Sequence, residues 1–190
     1  MMTRRQSLAV GLGTSLGLLA NRADAQQISG RGRTLVAFFT RSGNTKLIAG
    51  KMRRDLGADL FEIQPAEPYP EDYEATVAQA EREKQAGYEP PLKEPVAEIG
   101  AYSTLYLGFP IWGETTPTVI KSFLSKHDLS GKDLVPLITH GGYGTGDSLA
   151  VLGRLAPQAR LGKAFVIRMD QERAILRDVS RWLEASSSRK

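Results

Sequence analysis

The chain reads LVAFFTRSGNT at residues 35–45, and this stretch decides the class of fold. Its first five residues are apolar and flanked by turn-forming residues, which predicts a short strand buried on both faces. The next six carry hydroxyls, an amide and a glycine, and an amphipathic helical pattern begins at Asn44 and ends at Leu56. A buried strand that runs through a polar turn into a helix is the first half of a parallel β-α-β unit.

Short apolar runs and helical patterns alternate along the rest of the chain. Further strands are predicted at residues 60–63, 104–107, 134–139 and 164–167, and further helices at residues 73–86, 118–127, 147–155 and after Asp170. Because strands that alternate with helices form parallel sheets with right-handed crossovers, we expect an α/β fold: a three-layer αβα sandwich around a five-stranded parallel sheet. In such folds ligands bind beyond the carboxyl ends of the strands.

Composition excludes several classes of protein and site. The chain has 190 residues, which suits one domain, and it contains no cysteine, which excludes disulfides and a thiol nucleophile. The two histidines, His127 and His140, are separated by a predicted strand, so we expect no metal site. The formal net charge is +4 without a basic tract interleaved with aromatic residues, so we expect no nucleic-acid partner.

The first 25 residues have the pattern of an export signal. Arg4 and Arg5 precede an apolar run at residues 8–20, and the small-x-small sequence ADA follows at residues 23–25. This order is typical of a secretory signal peptide, and the run is too short to cross a bilayer core comfortably. The TRRxxL sequence resembles a twin-arginine signal, which implies export of the folded protein to the periplasm. A buried core helix and a retained membrane anchor are the alternatives.

The predicted organisation follows from these segments. Residues 1–25 are the signal peptide, residues 26–33 a flexible leader, residues 34–185 the α/β domain, and residues 186–190 a disordered tail. Removal of the signal takes away three arginines and one aspartate, which leaves 22 basic and 20 acidic residues. After cleavage we expect no stable membrane span.

The turn after the first predicted strand, TRSGNT at residues 40–45, has the chemistry of an anion site. Hydroxyls and free amides at a helix N-terminus donate hydrogen bonds to an anion, and the helix dipole adds to the attraction. The turn lacks the lysine of a P-loop and the glycine spacing of a dinucleotide fingerprint, so it suits a single phosphate monoester. An ordinary helix-capping turn is the alternative, because the same residue types favour that position.

Two further loops follow the third and fourth predicted strands. The first reads GFPIWG at residues 108–113, and apolar residues around Trp112 suit a flat aromatic ring. The second reads HGGYGTG at residues 140–146, and its glycines let the backbone approach a ligand closely. A tryptophan that caps the core and a flexible turn are the alternatives. One phosphate loop and two ring-walling loops together describe a mononucleotide with a flat heterocycle.

In these three loops the chain resembles the flavodoxin family, of the short-chain type. The TxSGNT turn is similar to the family's phosphate loop, and the GxPxWG and THGGxG sequences resemble its two ring-contacting loops. The resemblance covers residues 33–183 and implies the cofactor FMN and a flavodoxin-like sheet with strand order 2-1-3-4-5. The segment at residues 69–92 resembles an insertion found in such proteins, which could cover the flavin ring or gate access to it.

The resemblance also implies which residues contact FMN. The phosphate would be held by Thr40, Ser42, Gly43, Asn44 and Thr45. One side of the isoalloxazine ring would be walled by Pro110, Ile111, Trp112 and Gly113, and the other side by His140, Gly141, Gly142, Tyr143 and Gly146. Arg41 is counted with the phosphate loop, although we expect its side chain to point outward. No catalytic residue is assigned.

Three functions are compatible with such a protein. The favoured one is electron transfer with a redox partner protein, since FMN accepts one or two electrons. The second is an FMN-dependent oxidoreductase that reduces a quinone or another small acceptor, which requires room for a second ligand over the ring. The third is a non-redox binding module that has lost FMN. Hydrolytic chemistry lacks support, because the GxSxG elbow is missing.

Overall fold

Six parallel strands form one sheet in the computed structural model, which describes residues 32–169, 179 and 181–185. The strands are β1 (Arg33–Phe38), β2 (Asp59–Glu62), β3 (Tyr102–Pro110), β4 (Asp133–His140), β5 (Arg160–Leu161) and β6 (Phe165–Arg168). The helices are α1 (Asn44–Leu56), α2 (Tyr73–Ala86), α3 (Thr118–Lys126) and α4 (Ser148–Leu155). A 3₁₀ turn at Ile99–Ala101 leads into β3, and residues 179 and 181–185 are helical.

The strand order is β2-β1-β3-β4-β5, and β6 also pairs with β4. This order confirms the predicted flavodoxin-like sandwich, with one strand more than expected. The additional strand arises because two short pieces fill the edge position, β5 beside the start of β4 and β6 beside its end. Between these pieces the Gly162 N–H donates to the Leu134 carbonyl at 2.8 Å, so the chain stays bonded to β4 across the break.

Both faces of the sheet are buried, because its strands carry runs of apolar residues whose successive side chains point to opposite faces. From β1 onward, Leu35, Ala37 and Phe39 belong to one buried cluster, whereas Val36 and Phe38 belong to a second. The helices α3 and α4 cover the first face with Val119, Ile120, Phe123, Leu124 and Leu152. The helix α1 and the C-terminal helical residues cover the second face with Ile48, Ala49, Met52, Val179 and Leu183. Helices on both faces are what a parallel sheet of such strands requires.

The carboxyl ends of the central strands lie in register at one edge of the sheet. Phe38 at the end of β1 pairs with Gly108 in β3, and Pro110 at the end of β3 pairs with Thr139 in β4. The three loops that follow these strand ends therefore emerge side by side, at the edge where parallel sheets bind ligands.

The helix α2 contributes nothing to the apolar core. It begins after Asp72, whose carboxylate accepts the Ala75 N–H, and it ends at Gly87, which has a left-handed φ of 60°. Its buried residues are Thr76 and Glu83, both polar, and within the described part of the chain none of its residues belongs to either apolar cluster. The first cluster is completed instead by the extended segment after α2, through Leu92, Val96 and Ile99.

Several predictions concern residues outside the described part of the chain. These are the signal peptide at residues 1–25, the leader before residue 32, the start of the last helix after Asp170, and the tail at residues 186–190. Among the residues that are described, no helix has both the length and the apolar character needed to cross a membrane.

Candidate functional site

The three loops at the carboxyl edge surround a cavity of about 390 Å³, a volume within the range of ligand pockets. Of the fifteen residues predicted to contact a cofactor, eleven line this cavity: Thr40, Arg41, Ser42, Asn44, Thr45, Pro110, Ile111, Trp112, Gly113, His140 and Gly141. The other four, Gly43, Gly142, Tyr143 and Gly146, lie in the same loops but do not line it.

The first loop places the N-terminus of α1 at the cavity. Gly43 has a left-handed φ of 88°, and its N–H donates to Oγ1 of Thr40 at 3.1 Å, which closes the turn. The N–H groups of the first helical turn lack carbonyl partners within the helix, and this turn of α1 carries no acidic residue that would oppose an anion. Ser42 and Asn44 line the cavity beside these groups, so this end of the cavity can hold an anion.

Thr45 lines the cavity and also joins α1 to the sheet. Its Oγ1 lies 3.0 Å from Oγ1 of Thr139 in β4, and both side chains are buried. Only one hydroxyl donates in this pair, so the other keeps its proton for a ligand. A Cβ on Gly108 would lie 3.1 Å from Cγ2 of Thr45, so β3 needs glycine where α1 approaches it.

Arg41 connects the first loop to the start of α2. Its Nη2 donates to the Glu71 carbonyl at 2.8 Å, and its Nε lies 3.4 Å from Oγ1 of Thr76. The guanidinium carbon also stands 5.4 Å from the centroid of the Tyr73 ring, within the range of a cation–π contact. The side chain thus reaches from the first loop to the start of α2, and the residue lines the cavity.

A tight turn fixes the second loop. Trp112 and Thr115 exchange backbone hydrogen bonds of 3.1 Å, and Gly113 and Glu114 between them have left-handed φ values of 52° and 62°. These are the φ values of a type I′ hairpin turn, which glycine adopts readily and glutamate does not. The loop is therefore held in a shape that its sequence alone only partly favours.

The Trp112 ring is fixed by two other aromatic rings. It packs edge-to-face against Phe39 and Tyr69, with centroids 5.2 Å and 4.8 Å away. The residue packs against the first apolar cluster and also lines the cavity. The two roles considered for it, core cap and cavity wall, are both compatible with this position.

The glycine-rich third loop packs directly against the second loop at Glu114. Gly146 has a left-handed φ of 52°, and a Cβ on it would lie only 1.7 Å from the Glu114 carbonyl oxygen. The Asp147 N–H donates to that same oxygen at 3.1 Å. Gly146 thus allows close contact between two loops, which is a different role from the predicted contact with a ring.

His140 organises the start of the third loop. Its Nδ1 accepts the N–H groups of Gly142 and Gly144, both at 3.1 Å. An imidazole that accepts at Nδ1 and is neutral carries its proton on Nε2, so it retains one donor. Tyr143 at the tip of the loop is 82% exposed and lies outside the cavity wall.

Further residues complete the cavity wall and were missed from the sequence. They are Tyr73, Thr76, Val77, Ala80, Glu81 and Lys84 of α2, Thr115, Thr116, Pro117 and Thr118 at the start of α3, and Thr139 and Met169. The residues at the start of α3 could have been found from the sequence TTPT at residues 115–118, since hydroxyls before a helix favour polar ligands. Oγ1 of Thr116 is buried and has no hydrogen-bond partner among the described residues.

A buried carboxylate joins α2 to α3 behind the cavity. Glu83 is 7% exposed and accepts hydrogen bonds from the Tyr69 hydroxyl at 2.8 Å, from Nε2 of Gln79 at 2.9 Å and from the Thr118 hydroxyl. Burial raises the pKa of the Tyr69 phenol, which keeps this donor protonated. Neutral donors thus satisfy the carboxylate, and the described residues contain no group of side chains suited to hold a metal ion.

The arrangement has a counterpart among known proteins. A family model described as flavodoxin matches residues 33–186. The chain belongs to the flavodoxin family. Membership supports the prediction that the cofactor is FMN. No curated protein matches the chain.

Solved structures agree with this assignment to the flavodoxin family. A protein from Bacteroides eggerthii DSM 20697, assigned as a flavoprotein, is 30% identical with a TM-score of 0.70, and the match covers 82% of this chain and 98% of that one. A second such protein, from Bacteroides uniformis ATCC 8492, is 26% identical with a TM-score of 0.72, over 81% and 99% of the two chains. A flavoprotein from Lactobacillus acidophilus NCFM, in complex with FMN, is 19% identical with a TM-score of 0.63, over 71% and 93%. The last of these shows similarity of fold alone.

The residues of the flavodoxin-family cavity fit FMN. The anion-binding end has hydroxyl, amide and N–H donors and the positive end of α1, which suits a phosphate. The wall around Trp112 is apolar and aromatic, which suits a ring system.

Proposed function

We propose that this flavodoxin-family protein binds FMN in the three-loop cavity and transfers electrons outside the cytoplasm. The observation that carries the proposal is the convergence of the three loops on one cavity whose wall includes the N-terminus of α1. An anion site and an aromatic wall in one cavity are what a phosphorylated ring compound requires.

The described residues divide the binding of FMN between them. The phosphate is held by Thr40, Ser42, Asn44 and the first-turn N–H groups of α1. Thr45 shares a hydrogen bond with Thr139, and the pair keeps one hydroxyl proton for the phosphate. The residues Pro110, Ile111, Trp112, Gly113, His140 and Gly141 wall the ring. Bound FMN supplies one- and two-electron redox chemistry, and the protein positions it and sets its surroundings.

Export by the twin-arginine route is part of the proposal. The motif around Arg4 and Arg5 supports it, together with the apolar run and the cleavage pattern that follow. A protein that collects its cofactor in the cytoplasm needs a route that transports folded chains, and this route does so. The protein then works in the periplasm.

A second candidate function is favoured by α2. Six residues of this helix line the cavity, and they add a wall beyond the three loops that a plain electron carrier does not need. An FMN-dependent oxidoreductase with a small acceptor uses such a wall. The two functions differ in what accepts the electrons, a protein or a small molecule.

The test begins with the protein purified from the periplasm after expression with its own signal. We expect a yellow protein whose released cofactor has the mass of FMN, at one FMN per chain, and whose absorption bleaches with dithionite. Reoxidation by a quinone and by a redox protein then distinguishes the two functions. A colourless protein that also fails to take up added FMN would contradict both.

The export route has its own test. Replacement of Arg4 and Arg5 by lysine should keep the yellow protein in the cytoplasm, because the twin-arginine route depends on the paired arginines. Export that is unchanged in this variant would contradict the route without affecting the assignment of FMN.

A further inference from the structure

The side of α2 that lines the cavity carries three apolar residues beside the polar Thr76, Glu81 and Lys84, and it does not pack on the core. Tyr73, Val77 and Ala80 recur at helical spacing and line the cavity, and the first two are 63% and 45% exposed. An amphipathic helix normally buries its apolar side, whereas α2 buries the polar Thr76 and Glu83. The apolar side of α2 therefore belongs to the cavity.

Polar contacts hold α2 in place over the cavity. Arg41 bonds the Glu71 carbonyl just before the helix, Lys84 donates to the Gly113 carbonyl at 3.3 Å, and Glu83 accepts the Thr118 hydroxyl. These contacts reach the first loop, the second loop and the start of α3. The wall that α2 forms is thus fixed relative to the loops proposed to hold the phosphate and one side of the ring.

One buried hydroxyl in a residue of the cavity wall has no hydrogen-bond partner among the described residues. Thr116 is fully buried, its Oγ1 makes no hydrogen bond within the described chain, and it lines the cavity. Thr118, two residues further on, donates to Glu83 in the last turn of α2. Thr116 therefore lies near the C-terminal end of α2. A buried unpaired hydroxyl costs free energy unless a ligand accepts its hydrogen bond.

The cationic side chains on this side already have partners within the protein. Lys84 is bonded to the Gly113 carbonyl and lies 3.8 Å from Glu81, and Arg41 is bonded to the Glu71 carbonyl and stacked on Tyr73. Both cations of the described cavity wall near α2 are thus engaged by protein groups before a ligand binds. This favours a neutral ligand over a nucleotide with a pyrophosphate.

We propose that α2 and the start of α3 form a binding site for a neutral, planar carbonyl compound of the quinone class. Its ring packs against Tyr73, Val77 and Ala80, and a carbonyl oxygen accepts the Thr116 hydroxyl. The site lies beside the FMN proposed for the same cavity, and in that respect the inference rests on the proposed function.

Binding of menadione, measured by equilibrium dialysis against FMN-loaded and FMN-free protein, tests the site. Ala80→Phe should weaken menadione binding by at least about tenfold because it fills the apolar wall. Ala78→Phe, on the exposed side of the same helix, is the matched control and should change nothing. Thr116→Val keeps the shape and should weaken binding about three- to tenfold, the loss of one hydrogen bond.

FMN stoichiometry, determined first, separates this inference from the proposed function. The site is supported if menadione binds the FMN-loaded protein and if only Ala80→Phe and Thr116→Val weaken that binding. Competition between menadione and FMN, or loss of FMN rather than menadione in Ala80→Phe, overturns it, because α2 would then contact the flavin itself. Equal weakening by Ala78→Phe, or no menadione binding in either form, overturns it as well. A chain that takes up no FMN contradicts the proposed function, while dialysis of that chain still tests the α2 site.

Discussion

Ser42 is the side chain through which the account of the first loop can be tested most cleanly. Its hydroxyl lines the cavity beside the N-terminus of α1, whereas the hydroxyl of Thr45 is shared with Thr139. We expect Ser42→Ala to weaken FMN binding about tenfold to a hundredfold, the loss of one bond of roughly 1.5–3 kcal/mol to a charged group. Fluorescence titration of the FMN-free protein measures it.

The exposed Ser125 in α3 supplies the matched control. Ser125→Ala should leave both FMN affinity and stability unchanged. Equal FMN affinity in Ser42→Ala and the unmodified protein would remove Ser42 from the phosphate site.

The burial of His127 makes the free energy of unfolding depend on pH. It is buried, its Nε2 accepts the Val96 N–H at 2.9 Å, and its Nδ1 lies 2.7 Å from the Phe123 carbonyl. Burial lowers the pKa of His127, so the unfolded chain binds the proton more readily than the folded one. The free energy of unfolding is therefore fully retained above about pH 6.5 and falls as the pH drops toward the lowered folded value.

Urea unfolding at several pH values measures this dependence. His127→Gln removes the titrating ring, so its stability should change less between about pH 7.5 and 5 than that of the unmodified protein. The same slope in both proteins would show that other groups cause the dependence.

At the residue scale, the sequence predicted the side chains that follow each strand but not their long-range partners. The polar turn at residues 40–45 was recognisable because its residue types are specific for a helix start. The pair of Thr45 with Thr139 joins residues 94 positions apart, and no local pattern encodes such a contact. The contact of Gly146 with Glu114 is likewise not encoded by a local pattern.

At the scale of elements, the second and third loops behave as one unit. Gly146 has a left-handed φ and touches the Glu114 carbonyl, so Gly146→Ala should lower the free energy of unfolding by more than about 1 kcal/mol. A Cβ added to Gly153 in α4 would meet no atom within 4 Å, so Gly153→Ala should instead stabilise the protein by about 0.5–1 kcal/mol. Urea titration of the pair gives both values.

The two glycine variants should therefore shift stability in opposite directions. If Gly146→Ala were as stable as the unmodified protein, the close contact between the two loops would not exist in solution.

The helix α2 shows where prediction at this scale ends. Its limits were predictable, because Asp72 and Gly87 are ordinary capping residues. Its position was not, because its apolar residues line a cavity rather than the core and its buried residues are polar. The insertion-like segment was expected to cover or gate the ring, and α2 is the part of it that walls the cavity. The break between β5 and β6 was equally hidden, since two residues of strand carry no periodicity.

At the scale of the whole molecule, the topology was predictable because five apolar strands alternate with helices, and parallel sheets follow from that order. The order in turn fixes which loops meet, and these loops form the cavity. The electron donor and acceptor depend on other molecules and on side chains from distant parts of the chain, so no local sequence pattern encodes them. The function of the whole molecule therefore depends on which ligand the converging loops bind.

The most direct test compares the affinities of the FMN-free protein for FMN and for riboflavin, which lacks only the phosphate. We expect FMN to bind at least about a hundredfold more tightly, because two or more charge-assisted hydrogen bonds and the α1 dipole act on the phosphate alone. Equal affinity for the two flavins, or binding of neither, would contradict the assignment of the first loop as a phosphate site and of the cavity as the site of FMN.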